Sequence, residues 1–179
     1  MDTPSPIMGK NSFWTNLFKN PTEKTELKDI LSSMPTFNKL SNSQIKNLID
    51  LTHNRFYEAG EYVFHQGDPG IGLYIIQDGE IRITQTTPDN NQYDLVKFGR
   101  GEFFGELALL DNVKRSASAI ASRDSTLTVI FKPDLDEFIN RYPKIGVEIL
   151  KGMAKIIAAR LRNVNSEYLA LYTRLTENN

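Results

Sequence analysis

Hydrophobic positions change their period twice along the chain, and the two changes divide it into three parts. Near the amino terminus the period is helical. Phe13, Trp14, Leu17 and Phe18 recur at the spacing of a short amphipathic helix over residues 11–20, whose apolar face packs on the domain or on a partner. Residues 1–9 read as a disordered tail. Residues 26–34 form a second helix, stopped by Pro35, because a residue before proline is pushed out of the helical region. Ser41 opens a third helix and Ser43 is the alternative cap, since a serine hydroxyl accepts from a free amide of the first turn. Ile45, Leu48, Ile49 and Leu51 share that helix's apolar face.

Between residues 55 and 131 the period falls to two. Tyr62 and Phe64 alternate, as do Ile81 and Ile83, while Leu73 to Ile76 is a short buried run. Turn signals punctuate these strands at Glu58-Ala-Gly60, Gly67-Asp-Pro-Gly70, Asp78-Gly79 and Thr87-Pro-Asp-Asn-Asn91. Asp78-Gly79, between two apolar runs, predicts a hairpin. Short strands at this spacing predict an all-β sandwich, roll or barrel. After Phe131 the helical period returns. Lys132-Pro133-Asp134 opens a short helix through Arg141 that Pro143 ends. A long helix follows from about residue 144 to 175, with Ile149, Met153, Ile157, Leu161, Val164, Tyr168, Leu171 and Leu175 as apolar positions. From Leu161 the gaps of 3, 4, 3 and 4 trace a heptad-like seam, which predicts a homodimer; the alternative is a helix folded back on its own domain. The expected organisation is a tail with an amphipathic helix at 1–24, a β-rich domain with flanking helices at 25–143, and a long carboxy-terminal helix at 144–179.

Composition narrows the function classes. The chain has 179 residues and a net charge of −1, so no strongly basic face for nucleic acid is indicated. The run Lys151, Lys155, Arg160 and Arg162 reads as a solvated helix face. There is no cysteine, which excludes disulfide frameworks and thiolate metal sites. No apolar run approaches the roughly 18 residues of a membrane span, and the first residues lack a signal-peptide core. A cytoplasmic protein with no membrane partner is expected.

The candidate chemistry lies in residues 98–121. Gly99, Gly101 and Gly105 lead into a short apolar stretch, and a single arginine, Arg115, opens the next. An unpaired buried charge is costly. No Asp or Glu lies in residues 116–122, so a phosphate from outside the chain suits Arg115 as a partner. Gly105 has no Cβ and lets the backbone approach a ligand. Residues 107–110 fit one helical turn, whose leading amides favour an anion. The guanidinium supplies a planar fork for two phosphate oxygens, and Ser116 adds a hydroxyl and an amide. Glu106 is then the oddity, because a carboxylate repels a phosphate. It fits if it accepts from a sugar hydroxyl beside that phosphate, which describes a nucleotide. The blander reading has Glu106 capping the turn and Arg115 pairing with it or with another carboxylate.

In order and spacing, four segments resemble the cyclic nucleotide-binding domain family over about residues 35–165. They are Pro35-Thr-Phe-Asn-Lys-Leu-Ser41, Gly60-Glu-Tyr-Val-Phe-His-Gln-Gly-Asp68, Leu73-Tyr-Ile-Ile-Gln-Asp-Gly-Glu-Ile81, and Phe104-Gly-Glu-Leu-Ala-Leu109 followed by Arg115-Ser-Ala117. The resemblance implies a mainly β fold with flanking helices: an eight-stranded, jelly-roll-like β-roll with amino-terminal helices and a long carboxy-terminal helix. It implies that Glu106 takes the ribose 2′-hydroxyl, that Arg115 takes the cyclic phosphate, and that Gly105, Leu107, Ala108 and Ser116 line the sugar-phosphate. Gly67 and Gly79 become turn glycines. The long helix, where relatives contact the base, offers Arg160, Leu161 and Asn163 here, so Arg160 either meets a purine or is a solvated helix charge.

Other chemistries lack support. His53 and His65 have no partner at metal spacing, there is no Gly-Lys-Ser/Thr phosphate loop, and Asp111 with Glu102 and Glu106 makes an unsupported carboxylate set. The expected protein is a non-enzymatic sensor with no metal or cofactor. Its ligand is cyclic AMP ahead of cyclic GMP, and it signals through the long helix to a second copy or an effector. The alternative is a degenerate scaffold that binds no nucleotide. A helix-turn-helix has no room before Asn179, so direct transcription control is not expected of this chain.

Overall fold

The computed structural model describes residues 21–110 and 113–177. The elements, in order, are α1 (Pro21–Ser33), α2 (Asn42–Asp50), β1 (Thr52–Tyr57), β2 (Tyr62–Phe64), β3 (Gly72–Thr86), β4 (Gln92–Gly99), β5 (Phe103–Phe104), α3 (Leu107–Leu110), β6 (Ser118–Phe131), α4 (Lys132–Arg141) and α5 (Pro143–Glu177). The expected aromatic helix at 11–20, the tail at 1–9 and Asp111 lie outside the described residues. Helix α1 starts at Pro21, ahead of the expected domain boundary, where proline's fixed φ and missing N–H suit a first turn. Ser41 caps α2 with a full capping box, its hydroxyl accepting from the Gln44 amide and the Gln44 side chain accepting from the Ser41 amide.

Two long strands carry the sheet. Its order is β1-β6-β3-β4, with β2 added to β6 and β5 to β3, all antiparallel. The expected Asp78-Gly79 hairpin is not a turn. β3 runs through it as one strand of 15 residues. Its register with β6 slips at Ile76/Asp78, Asp78/Glu80 and Glu80/Ile81, so the dipeptide forms a bulge. Gly79 sits there at φ +105°, and a Cβ on it would run into the Ser125 side chain. A bulge of this kind bends the strand that carries it.

Alternation along β3 assigns the two cores. Leu73 and Ile75 face the helices, packing with Leu27, Leu31, Phe37, Leu48, Phe138 and Ile149. Tyr74, Ile76 and Ile81 face the interior of the roll, with Phe98, Phe104, Leu127 and Val129. Both faces are covered, which is why residues 73–76 read as a continuous apolar run.

Helix α5 divides in two. Its first part docks through Gly146, Ile149, Gly152 and Met153, all buried. Gly152 lies so close to the α1–α2 connection that a Cβ would stand 2.8 Å from the Pro35 carbonyl oxygen and closer still to Thr36 Cα. From Leu161 onward the helix leaves the domain, and Leu161, Val164, Tyr168, Leu171 and Leu175 are 58–68% exposed. The folded-back alternative is therefore overturned for the outer half, because no element of the described domain reaches it.

Candidate functional site

Arg115 is held from both sides of its backbone by the β2–β3 loop. Its amide donates to the Asp68 carbonyl and its carbonyl accepts from the Gly67 amide, both at 2.8 Å. Gly67 makes this turn at φ +89°. The side chain is 5% exposed. Nη1 donates to the Gly105 carbonyl and Nη2 to the Gly72 carbonyl, each at 2.8 Å. The guanidinium carbon lies 4.1 Å from the centre of the Phe64 ring and 5.6 Å from that of Tyr74. Cation–π contacts of this desolvated kind are worth about 2 kcal/mol.

These contacts orient the charge without neutralising it. Among the described residues no carboxylate forms an ion pair with Arg115. Its Nε is buried with no hydrogen-bond partner. Burial pulls the guanidinium below its usual range, and Tyr74, Glu106 and Asp68 pull it back up. An arginine does not shed its proton in a protein, so the site keeps a full positive charge whose natural complement is an anion.

Glu106 does not pair with Arg115. It is 5% exposed, and its Oε1 lies 2.7 Å from Nη1 of Arg160, which α5 brings across the pocket mouth. Nη2 of Arg160 donates to the Phe103 carbonyl at 2.5 Å. Its guanidinium carbon lies 4.5 Å from the Phe98 ring centre and 5.1 Å from that of Phe103. Arg160 is therefore not a solvated helix charge. It ties α5 to the glycine turn.

A cavity of about 270 Å³ opens between the two arginines. Gly105, Glu106, Leu107, Arg115, Ser116 and Arg160 all border it, together with Lys114. Ala108 lies in the single turn of α3. The inner walls are Phe64, Ile83, Phe98 and Phe104, and the outer wall is Leu95, Val96 and Val113. One end is thus ionic and the remainder apolar, which suits a ligand with an anion at one end and a flat apolar body at the other. Among the described residues no group of three His, Asp or Glu side chains could hold a metal ion. His53 instead lies against the Phe131 ring and 3.9 Å from Asp134, and His65 stacks on Tyr62.

Sequence reasoning missed the apolar half of this pocket. Leu95 and Val96 both reach it because the β3–β4 register slips between Ile83 and Thr84. Alternation alone sends neighbouring residues to opposite faces, and the sequence holds no signal for that slip. The roles of the Gly72 carbonyl and the Phe64 ring follow only from the fold.

Residues 54–142 match the family model described as cyclic nucleotide-binding domain. The chain is 33% identical over 137 residues to the cyclic AMP receptor protein of Thermus thermophilus, a match covering 76% of this chain and 62% of the relative. It is 31% identical over 116 residues to the cAMP-dependent protein kinase type II regulatory subunit of Drosophila melanogaster, covering 64% of this chain and 30% of that protein. The match thus spans less than two thirds of the length of either relative. The crystal structure of a cyclic nucleotide-binding domain from Methylobacillus flagellatus superposes with a TM-score of 0.75 at 25% identity, covering 83% of each chain.

Proposed function

Because the chain belongs to the cyclic nucleotide-binding domain family, we propose that it is a non-enzymatic sensor module that binds a cyclic nucleotide, cyclic AMP in preference to cyclic GMP. The observation that carries this reading is Arg115, a buried guanidinium without an ionic partner among the described residues, held at the edge of a mostly apolar cavity. A singly charged cyclic phosphate neutralises it. The carboxylate of Glu106 accepts from the sugar hydroxyl, and the backbone of Gly105 to Ala108, with Ser116, lines the sugar-phosphate. The base lies against Leu95 and Val96, an apolar surface that leaves guanine, with a carbonyl and a ring N–H besides its amino group, more unpaired polar groups than adenine.

Signalling follows from Arg160. It holds Glu106 and the Phe103 carbonyl while belonging to α5, so a ligand that engages Glu106 changes the anchor of that helix. The ligand moves the equilibrium between two α5 positions only by its difference in affinity for them. The helix carries the change outward to a second copy seated on its apolar seam, and from there to an effector. The described residues contain no helix long and apolar enough to cross a membrane, and a cytoplasmic location suits the reading.

Calorimetry with cyclic AMP, cyclic GMP and AMP on wild type and Arg115→Ala tests this. Wild type is expected to bind cyclic AMP most tightly. Arg115→Ala is expected to weaken binding by roughly 1.5–3 kcal/mol, at least about tenfold. Equal binding by both proteins, or binding of none of the three by wild type, overturns it. Cyclic AMP recovered unchanged by chromatography after incubation is the result expected of a sensor, and product formation overturns that part.

A further inference from the structure

We propose that a second groove, which shares Arg160 with the nucleotide cavity, binds a small monocarboxylate with a compact apolar body. The proposal goes beyond the nucleotide reading and does not depend on it. The groove holds about 410 Å³, within the roughly 300–1,000 Å³ of small-molecule sites. It lies between α5, the α1–α2 connection and the β4–β5 turn, and Met34, Pro35, Phe103 and Ile156 give it apolar walls. Asn163, expected near the base, borders this groove and not the nucleotide cavity.

Lys155, Ala159 and Asn163 border the groove at intervals of four residues, so they form one row along α5. The small alanine leaves a notch between an ammonium group one turn before it and an amide one turn after. A carboxylate resting there has one oxygen for each donor. The neighbouring cations are engaged, Lys151 with Glu148 and Arg160 with Glu106. Among the described residues no carboxylate pairs with Lys155.

One negative charge suits the groove better than two. Glu102 borders it while accepting from the Gly99 amide at 2.9 Å, and its carboxylate repels the second charge of a phosphate monoester. Charge also favours a small anion over the chain's own amino-terminal segment. Residues 1–20 carry Lys10 and Lys19 against Asp2, a positive balance facing a rim of Lys155 and Arg160. A carboxylate held by α5, with its body against the β4–β5 turn, works beside the bond from Arg160 to the Phe103 carbonyl. It favours the docked helix to the extent that it binds that position more tightly.

Titration of the full chain with 2-naphthoate, without nucleotide and followed by amide chemical shifts, tests this. Saturating shifts are expected at residues 101–103 and 155–163. Lys155→Ala, at an exposed helix position, is expected to raise the dissociation constant about fivefold. Ala159→Leu fills the notch with a good helix former and is expected to raise it at least tenfold. Lys151→Ala, one turn back and outside the groove, is expected to change it less than twofold. 2-Naphthamide, which is uncharged, and 2-naphthyl phosphate, with nearly two charges, are each expected to bind at least fivefold more weakly. Equal binding of either compound overturns the monocarboxylate class. No saturable shift, or an effect of Lys151→Ala as large as that of Lys155→Ala, overturns the site. Shifts confined to Val96, Val113 and Ser116, and lost in Arg115→Ala, put the probe in the nucleotide cavity; they overturn the groove and leave the nucleotide reading standing. Affinity raised at least tenfold by Trp14→Ala assigns the groove to the amino-terminal segment and overturns the proposal as well.

Discussion

The guanidinium of Arg115 fills the space that a side chain on Gly105 would need: a Cβ there would lie 2.7 Å from Nη1 of Arg115 and 3.1 Å from the Gly72 carbonyl oxygen that Nη2 engages. The glycine turn and the arginine are thus one device. Gly105 also sits at φ +82°, a conformation that costs an L-residue about 1–2 kcal/mol. Gly101 sits at the same φ of +82°, but with nothing within 4 Å of its would-be Cβ. The two glycines therefore separate strain from site geometry. Gly101→Ala is expected to lower the melting temperature and leave cyclic AMP affinity unchanged. Gly105→Ala is expected to lower both, with affinity down at least tenfold. Equal affinities for the two variants would break the link between the turn and the arginine.

Removing Arg160 leaves a carboxylate 5% exposed with no countercharge from α5. Breaking a buried pair costs about 3–5 kcal/mol, and Arg160's partial exposure reduces this to about 1–2 kcal/mol. Arg160→Met keeps an unbranched side chain and deletes the guanidinium that lies over Phe98. Glu106→Gln removes the other partner. The double variant is expected to be less destabilised than the sum of the singles by about 1 kcal/mol in urea unfolding. Hydrogen exchange in the docked part of α5 is expected to quicken in Arg160→Met. Strict additivity, with unchanged exchange, would mean that the ion pair does not anchor the helix.

The ionic half of the site was legible in the sequence and the apolar half was not, for a physical reason. Arg115 and Glu106 stand out because charges in apolar surroundings need partners wherever the chain folds. Their actual partners depend on contacts 43 and 54 residues apart, namely the Gly72 carbonyl for Arg115 and Arg160 for Glu106. Helix boundaries followed from local chemistry, as with the Ser41 cap and the proline at the start of α5. Asp78-Gly79 misled because a positive-φ glycine serves a hairpin and a bulge alike. Only the pairing of β3 with β6 through Ser125 decides between them. The freedom of the outer half of α5 likewise rests on tertiary geometry, since its apolar spacing continues that of the docked half.

Gly152 sets how closely α5 approaches the domain. A methyl group there meets backbone, Thr36 Cα and the Pro35 oxygen, and backbone of a packed turn yields less readily than a flexible side chain. Gly152→Ala raises intrinsic helix propensity by about 1 kcal/mol, so a purely local view expects stabilisation. The close contact predicts the reverse: a lower unfolding midpoint and faster exchange in residues 143–160. A stabilised variant would mean that α5 is seated less tightly than the distances indicate.

Tyr57 gives the fold a defined alkaline limit. Burial above all, with Tyr74 adding to it and Arg55 opposing, pushes its phenol up to about 12. An unfolded tyrosine ionises near about 10. Between those values the folded protein holds a proton that the unfolded chain has released, so stability is complete below pH 10 and falls as pH rises toward 12. The largest possible loss is about 2.7 kcal/mol, reduced to about 2 kcal/mol because the ring is only partly buried. Urea unfolding of wild type and Tyr57→Phe from pH 9 to 11.5 checks this. The variant lacks the ionisable group, so its midpoint is expected to fall less steeply above pH 10, and the gap between the two proteins to change with pH. A gap that stays constant across the range would show that the Tyr57 hydroxyl reaches solvent freely, and would assign any alkaline loss to Tyr74, the other tyrosine whose proton burial protects.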